Sequence, residues 1–225
     1  MINRKVVQRM AFENYKAEKR YYEREATEEE FLAWYHTQDH GTYEKPSVTV
    51  DNLIFGWEED QLKVLFIKRK AHPFIDQYAF AGGFLNKQES PDEAAIREAV
   101  EETGIQLDMG HLKQFKTVGT PNRDPRGWVV TIAYLVFLPT MDNVAAKAGG
   151  DAKDAIWLSL NIDGEGTPRL NLGQEEIPLS QLAFDHEEIL RDAASFMREH
   201  DLVVKVLGPN PSLSSVQKLK RLLGL

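Results

Sequence analysis

The sequence predicts an α/β protein of the mixed kind, a mixed sheet sandwiched between helices, on three observations. Strand-like runs begin at Ser47 and recur, one well-capped helix interrupts them near residue 91, and a long amphipathic helix follows late in the chain. A regular alternation of strand and helix would signal a parallel doubly wound sheet, and this order does not alternate that way. The bulk numbers suit a folded core: 225 residues, 42% hydrophobic and 28% charged.

Taken in order, residues 1–45 are rich in Lys, Arg, Glu and Tyr and hold no proline, which predicts an N-terminal helical arm. Thr27 with Glu30 reads as a capping box that opens a short helix carrying Phe31, Leu32 and Trp34. From Ser47, SVTVDNLIFGW and QLKVLFIKRK flank a short polar EED, the pattern of a hairpin. A brief apolar piece, Tyr78 to Phe80, precedes Gly82 and Gly83.

Ser90-Pro91-Asp92-Glu93 supplies a cap hydroxyl, a proline at the first helical position and a reciprocal acid, while Gly104 can close the helix in the left-handed conformation. A helix over about 91–103 follows. LKQFKTVGTP, WVVTIAYLVFLP and AIWLSL predict further strands, and NIDGEGTPRLNLGQEE (161–176) reads as an irregular surface excursion. LAFDHEEILRDAASFMREHD predicts the long amphipathic helix, and SLSSVQKLKRLLGL a short one with Leu213, Val216, Leu219 and Leu223 along one side. The division is therefore an arm at 1–45, a main domain at 46–200 and a C-terminal helical segment at 201–225.

Composition excludes several classes. With no cysteine, disulfides, thiolate metal sites and cysteine nucleophiles are absent, so any metal must be held by oxygen or histidine. No apolar run reaches about 18 residues and the opening has no signal-peptide core, which predicts a cytoplasmic protein without membrane partners. A net charge of -8 argues against a chain built to coat nucleic acid. An acidic protein still binds a phosphorylated small molecule when a divalent cation lies between carboxylate and phosphate.

On the 91–103 helix, at about 100° per residue, Glu98, Glu101 and Glu102 fall within an arc of roughly 100°. Arg97 stands four residues after Glu93 and four before Glu101, within pairing distance of either. Like charges so placed cost a few tenths of a kcal/mol per pair. Occupancy by a hard cation such as Mg²⁺, which prefers oxygen ligands, would offset that cost. Three glutamates seen alone also read as a solvated acidic face.

They do not stand alone. Gly83, five residues, Glu89, seven residues, then Arg97-Glu98-Ala99-Val100-Glu101-Glu102-Thr103-Gly104-Ile105 resembles the Nudix box, G-x5-E-x7-R-E-U-x-E-E-x-G-U with U a bulky apolar residue. The one departure is Ala99, small where a larger aliphatic is usual, a matter of packing. The resemblance implies the Nudix fold and hydrolysis of a nucleoside diphosphate linked to another group. It implies Glu98, Glu101 and Glu102 as ligands of Mg²⁺ (or Mn²⁺), with Glu101 or Glu102 polarising water. Arg97 would orient a glutamate, Glu89 would support the loop or a further metal, and Gly82 and Gly83 would let backbone approach the metal or the phosphates.

Beyond the box, YEKPSVTVDNLIF, LKVLFIKRK, PNRDPRGW, AGGDAKDAIWLSL and LAFDHEEIL resemble a Nudix group containing ADP-ribose pyrophosphatase-like enzymes and ADP-ribose-binding repressors of NAD biosynthesis. This likeness spans about residues 43–200. It implies Mg²⁺-dependent conversion of ADP-ribose to AMP and ribose 5-phosphate; the alternative is an ADP-ribose-sensing transcriptional regulator without significant catalysis, and a third is hydrolysis of another dinucleotide. The final helix resembles the first helix of a repressor's winged helix, but the sequence stops at Leu225 before a recognition helix, so DNA is not the expected partner. Relatives commonly pair, and Tyr21, Tyr22 and Trp34 of the arm need cover, so a homodimer is expected.

Among other residues, Arg123 and Arg126 could hold the diphosphate or terminal ribose, or brace the turn around Asp124. Arg69, at a strand end, is a candidate substrate contact. Phe80 or Trp128 could stack on adenine or belong to the core. Asp185 reads as a helix cap, with His186 beside it as a further candidate.

Overall fold

The computed structural model describes residues 4–37, 44–138, 141, 148–150, 152–200 and 202–225. The chain divides into two compact units, residues 1–45 and 46–225. In the first, α1 (Arg4–Arg24) and α2 (Glu28–Thr37) are joined by a short turn. Glu30 accepts from the Thr27 amide and hydroxyl, and the Glu30 amide returns to the Thr27 hydroxyl, the reciprocal cap foreseen from the sequence. Trp34 is buried, stacks on Tyr22 at 4.9 Å and donates its indole N–H to Glu18, so an aromatic hinge joins the two helices.

The second unit is a mixed sheet between helices. Its path runs β5 (Leu112–Val118), β6 (Val129–Phe137), β1 (Ser47–Glu58), β2 (Gln61–Arg69), β7 (Ala152–Ile162), β8 (Pro168–Leu172), β9 (Glu175–Ile177). Among the strands of the described residues β1 and β6 pair in parallel and the other strand pairs are antiparallel, with one isolated parallel bridge at Tyr78–Leu182. The β1–β2 hairpin turns on Glu59 and Asp60, both with positive φ, the two-residue geometry that matches strand twist.

β1 and β2 stay paired only from Ile54↔Leu65 to the turn. Beyond that point they splay, and the short strands β3 (Tyr78–Ala79) and β4 (Ala81–Phe84) fill the opening, β3 on β2 and β4 on β1. This wedge carries the glycine pair into the middle of the sheet.

Strand alternation then assigns the two faces. Val50 and Ile54 of β1 join Tyr134 and Val136 of β6 and Ala94, Ala95 and Ala99 of α3 (Pro91–Thr103) in one core. Leu53, Phe55, Leu135 and Leu158 pack on the other face against Ile189, Leu190, Ala193 and Met197 of α4 (His186–Glu199). The small Ala99 has no exposure and lets α3 lie close to the sheet.

Three details depart from the sequence reading. The 161–176 stretch contains the β8–β9 hairpin, in which Leu170 is fully buried: its alternating Pro-Arg-Leu-Asn-Leu is a short strand rather than an irregular excursion. The late helix begins at His186, four residues after Leu182: Phe184 has a positive φ and Asp185 occupies the cap position, so the intervening residues stay outside it. Residues 202–225, with α5 (Val203–Leu207) and α6 (Leu213–Leu222), pack into the same unit: Leu202, Val206, Leu219 and Leu223 enter the α4-side core, whereas Leu213 is exposed. Among the described residues no helix is long and apolar enough to cross a membrane.

Candidate active site

Helix α3 is built by local chemistry. Ser90 caps it in a full reciprocal box with Glu93, Pro91 takes the first position, and Gly104 closes it at φ 73°. The helix therefore delivers its side chains from a fixed origin, as a site needs.

Its polar flank is organised by one arginine. Arg97 meets both oxygens of Glu89 at 2.6 and 2.9 Å, Glu98 at 2.7 Å, Glu101 at 3.1 Å and the Phe84 carbonyl at 3.0 Å. The hydrogen bonds from Arg97 hold the Glu89 carboxyl down at about 2. Burial pushes Glu98 the other way, above the ordinary carboxylate range, and Arg97 offsets this only in part.

The glycine pair faces these acids. The Gly82 amide donates to Glu102 at 2.8 Å. A Cβ on Gly82 would stand 2.0 Å from the Val50 carbonyl oxygen, and one on Gly83 would stand 2.3 Å from the Glu98 carboxylate. Neither glycine has positive φ. Both are required by close approach, and what approaches is the protein's own backbone and carboxylate.

These groups line a cleft of about 440 Å³. Of the residues singled out from the sequence, Arg69, Phe80, Gly82, Gly83, Arg97, Glu98, Glu101, Glu102, Arg123, Arg126 and His186 line it; Trp128, Asp185 and Glu89 do not, and Glu89 reaches it through Arg97. Arg126 grips Asp124 with Nε and Nη2 and lies over the rings of Phe84 (4.9 Å) and Phe184 (5.5 Å). Burial raises the Asp124 pKa, but Arg126 outweighs it and holds that carboxyl below its usual range. Arg69 lies on Phe184 as well, at 4.9 Å, with its Nε on the Pro73 carbonyl.

Arg123 is different: its side chain is 4% exposed and forks onto Asp185 at 2.6 and 2.8 Å. Asp185 precedes α4 yet makes no side-chain cap bond, because its carboxylate is taken by that arginine. Phe80 is buried between Phe66 (5.0 Å) and His186 (4.8 Å), so both ring faces are covered and it is core. Trp128 is 53% exposed and lines a second hollow of about 380 Å³ with Pro121, Asn122 and Pro125. Sequence reasoning missed Asp51 altogether, and with it the aromatic partners Phe84 and Phe184; Asp51 is buried on the cleft floor opposite Gly82 in the β1–β4 ladder.

The acids suit a hard divalent cation in chemistry: all are oxygen donors, and a carboxylate whose pKa burial has raised is one that a nearby positive charge stabilises. Their arrangement differs from the expected trio around one point. Among the described residues no three His, Cys, Asp or Glu side chains converge on one point. Glu98, Glu101 and Glu102 form a row along the wall, with the Arg97 guanidinium bridging the first two.

A row of carboxylates on a capped helix, set against a tight glycine strand in a cleft with arginines, is a hydrolytic site for phosphate compounds. The NUDIX domain model matches residues 45–177, and the chain belongs to that family as a Nudix hydrolase. It is 39% identical over 150 residues to an ADP-ribose pyrophosphatase of Methanocaldococcus jannaschii, covering 67% of this chain and 74% of that protein. It is 29% identical over 202 residues to the ADPR responsive transcriptional repressor NtrR of Acinetobacter baylyi, covering 86% of this chain and 72% of the repressor. Among solved structures, a MutT/nudix family protein from Enterococcus faecalis superposes with a TM-score of 0.81 at 39% identity, covering 93% of this chain and 86% of that one.

Proposed function

We propose that the protein hydrolyses ADP-ribose to AMP and ribose 5-phosphate, with Mg²⁺ as its cation. The observation that carries this reading is the intact acidic row, Glu98, Glu101 and Glu102, on the wall of the cleft that also holds Arg69 and Arg126. The 39% identity to an ADP-ribose pyrophosphatase supports the choice of substrate.

The three glutamates would hold the cation, and Mn²⁺ suits the same oxygen donors. When bound, such an ion neutralises charge on phosphate oxygens and makes a water a better nucleophile. Arg97, held by Glu89, keeps Glu98 and Glu101 in place. Glu101 or Glu102 takes the proton of the attacking water; its oxygen bonds to phosphorus, the P–O–P bridge breaks, and the departing phosphate leaves as an anion. Arg69 and Arg126 offer guanidinium donors to the diphosphate or terminal ribose, Arg123 supports the floor beneath them, and Gly82 and Gly83 bring backbone to the cleft wall where a side chain would strike Val50 or Glu98.

The test is AMP release from ADP-ribose with Mg²⁺, comparing wild type with Glu102→Gln. A loss of about 10²–10³-fold in the variant is expected, the scale of removing one preset electrostatic group. Wild-type turnover of other nucleotides but not ADP-ribose would refute the substrate assignment.

The similarity to the repressor favours one second reading, an ADP-ribose sensor that acts through DNA. Tight ADP-ribose binding without turnover, together with DNA released by the ligand, would establish it instead. On the first reading the partners are the nucleotide and a second copy of the chain in a homodimer, with no nucleic acid or membrane, and the enzyme works in the cytoplasm.

A further inference from the structure

Between β3 and β4 the wedge breaks at Phe80, whose backbone N–H leaves the sheet ladder and needs another acceptor. It finds one in the Nδ1 of His186, at 3.1 Å. That bond fixes the tautomer: Nδ1 accepts, so the ring proton sits on Nε2, which faces a carboxylate oxygen of Asp51 at 3.4 Å. The other Asp51 oxygen accepts from the Thr131 hydroxyl at 2.6 Å, and Arg123 stands 3.7 Å away while forked on Asp185. Side-chain exposure is 3% for His186 and 9% for Asp51.

The same short segment is tied down on both sides. Ala183, three residues before His186, donates its amide to the Tyr78 carbonyl at 2.8 Å. Two residues after Phe80, the Gly82 amide donates to Glu102. Gly82 also lies opposite Asp51 in the β1–β4 ladder. His186 therefore anchors one end of a stretch whose other end holds a carboxylate of the acidic row.

We propose that Asp51 and His186 are a positioning pair for the hydrolytic reaction: through the Phe80 amide they fix the Phe80–Gly83 strand, and through Gly82 they fix Glu102. This rests on the hydrolase reading above. A core that needed only stability does as well with apolar side chains of similar volume. The polar set adds direction: Thr131 orients Asp51, Asp51 orients the Nε2–H, and the ring then presents Nδ1 to a single backbone amide.

Three variants test it: His186→Phe, which keeps a ring but removes the acceptor; His186→Asn, whose amide oxygen can take the place of Nδ1; and Asp51→Asn, which keeps shape and removes charge. Each is measured for amide hydrogen exchange without substrate, and for kcat and KM with ADP-ribose and Mg²⁺. In His186→Phe the amides of Phe80 and Gly82 exchange about 10-fold faster while β5 and β6 keep their protection. In the same variant kcat falls about 10²-fold with KM within about twofold, the scale of a misplaced group.

His186→Asn restores most of both losses, and Asp51→Asn shows a weaker form of them, which also covers the case in which His186→Phe does not fold. Unchanged exchange and kcat, or a uniform loss of protection across the sheet with no rescue by Asn, would overturn the proposal. If the wild type turns over no nucleotide, the hydrolase reading fails, and the exchange data still decide whether the pair holds the strand.

Discussion

Arg97 grips Glu89 with two parallel hydrogen bonds, Nε to one carboxylate oxygen at 2.6 Å and Nη2 to the other at 2.9 Å. The pair joins α3 to the loop that follows β4, and the rest of the same guanidinium reaches Glu98, Glu101 and the Phe84 carbonyl. One side chain thus orders a loop and two of the three carboxylates in the acidic row.

A lysine in that place keeps the charge but has no planar fork. Arg97→Lys is expected to keep the fold and lower kcat by about 100-fold, because the row is no longer held to within a fraction of an ångström. Steady-state AMP release, with the far-ultraviolet spectrum as the fold control, checks this. Full activity in the lysine variant would show that charge alone suffices.

The Glu89 carboxyl, held at about 2 against an ordinary 4.5 by the Arg97 hydrogen bonds, makes stability depend on acid. A group with a depressed folded pKa stabilises the native state fully above its unfolded value and loses that contribution as pH falls toward its folded value. Urea melts of wild type and Glu89→Gln are expected to differ most above about pH 5 and to converge as pH drops from 4.5 toward 2. A constant difference over that window would show that Arg97 does not discriminate between the charged and neutral forms.

The parts of this molecule legible in its sequence are those set by neighbours in the chain. The cap at Ser90, the close at Gly104 and the Thr27–Glu30 box involve residues at most a few positions apart, so their patterns survive as text. The acidic row was legible for the same reason, since helical geometry converts spacing into direction. Its bridging by Arg97 was only half legible: the spacing allowed Glu93 or Glu101 as the partner, whereas Glu89, brought near by the loop after β4, takes the fork instead.

Asp51 and His186 were illegible as a pair because only the splayed sheet and the placement of α4 bring them together. Asp185 does occupy the cap position of α4, but the sequence cannot show that Arg123 takes its carboxylate and leaves the cap bond unmade. The β8–β9 hairpin was obscured by glycine and proline, which mark turns yet also bound very short strands.

The helical arm exposes Tyr15, Tyr21, Leu32 and Tyr35, each 41–48% accessible, while Trp34 is buried. Exposed apolar side chains are surface that association of two copies would cover. Light scattering is expected to give twice the chain's 25.6 kDa, and charged substitutions at Tyr21 and Tyr35 in the full chain to shift the population toward the single-chain mass. A monomeric wild type would exclude the homodimer.

The two glycines of the wedge are expected to fail in different ways when each is replaced by alanine. At Gly82 the new Cβ meets backbone, the Val50 carbonyl at 2.0 Å, and β1 cannot yield without disturbing its pairing with β6. Gly82→Ala should therefore lose stability by about 1–3 kcal/mol, the range for overpacking. At Gly83 the obstacle is the Glu98 carboxylate at 2.3 Å, a side chain that can turn aside, but only by giving up its 2.7 Å bond to Arg97. Gly83→Ala should thus keep a near-native melting temperature and lose turnover. Measuring both quantities for both variants separates the outcomes, and a Gly83→Ala protein with full activity would mean that Glu98 has no need of the position in which Arg97 and the glycine strand hold it.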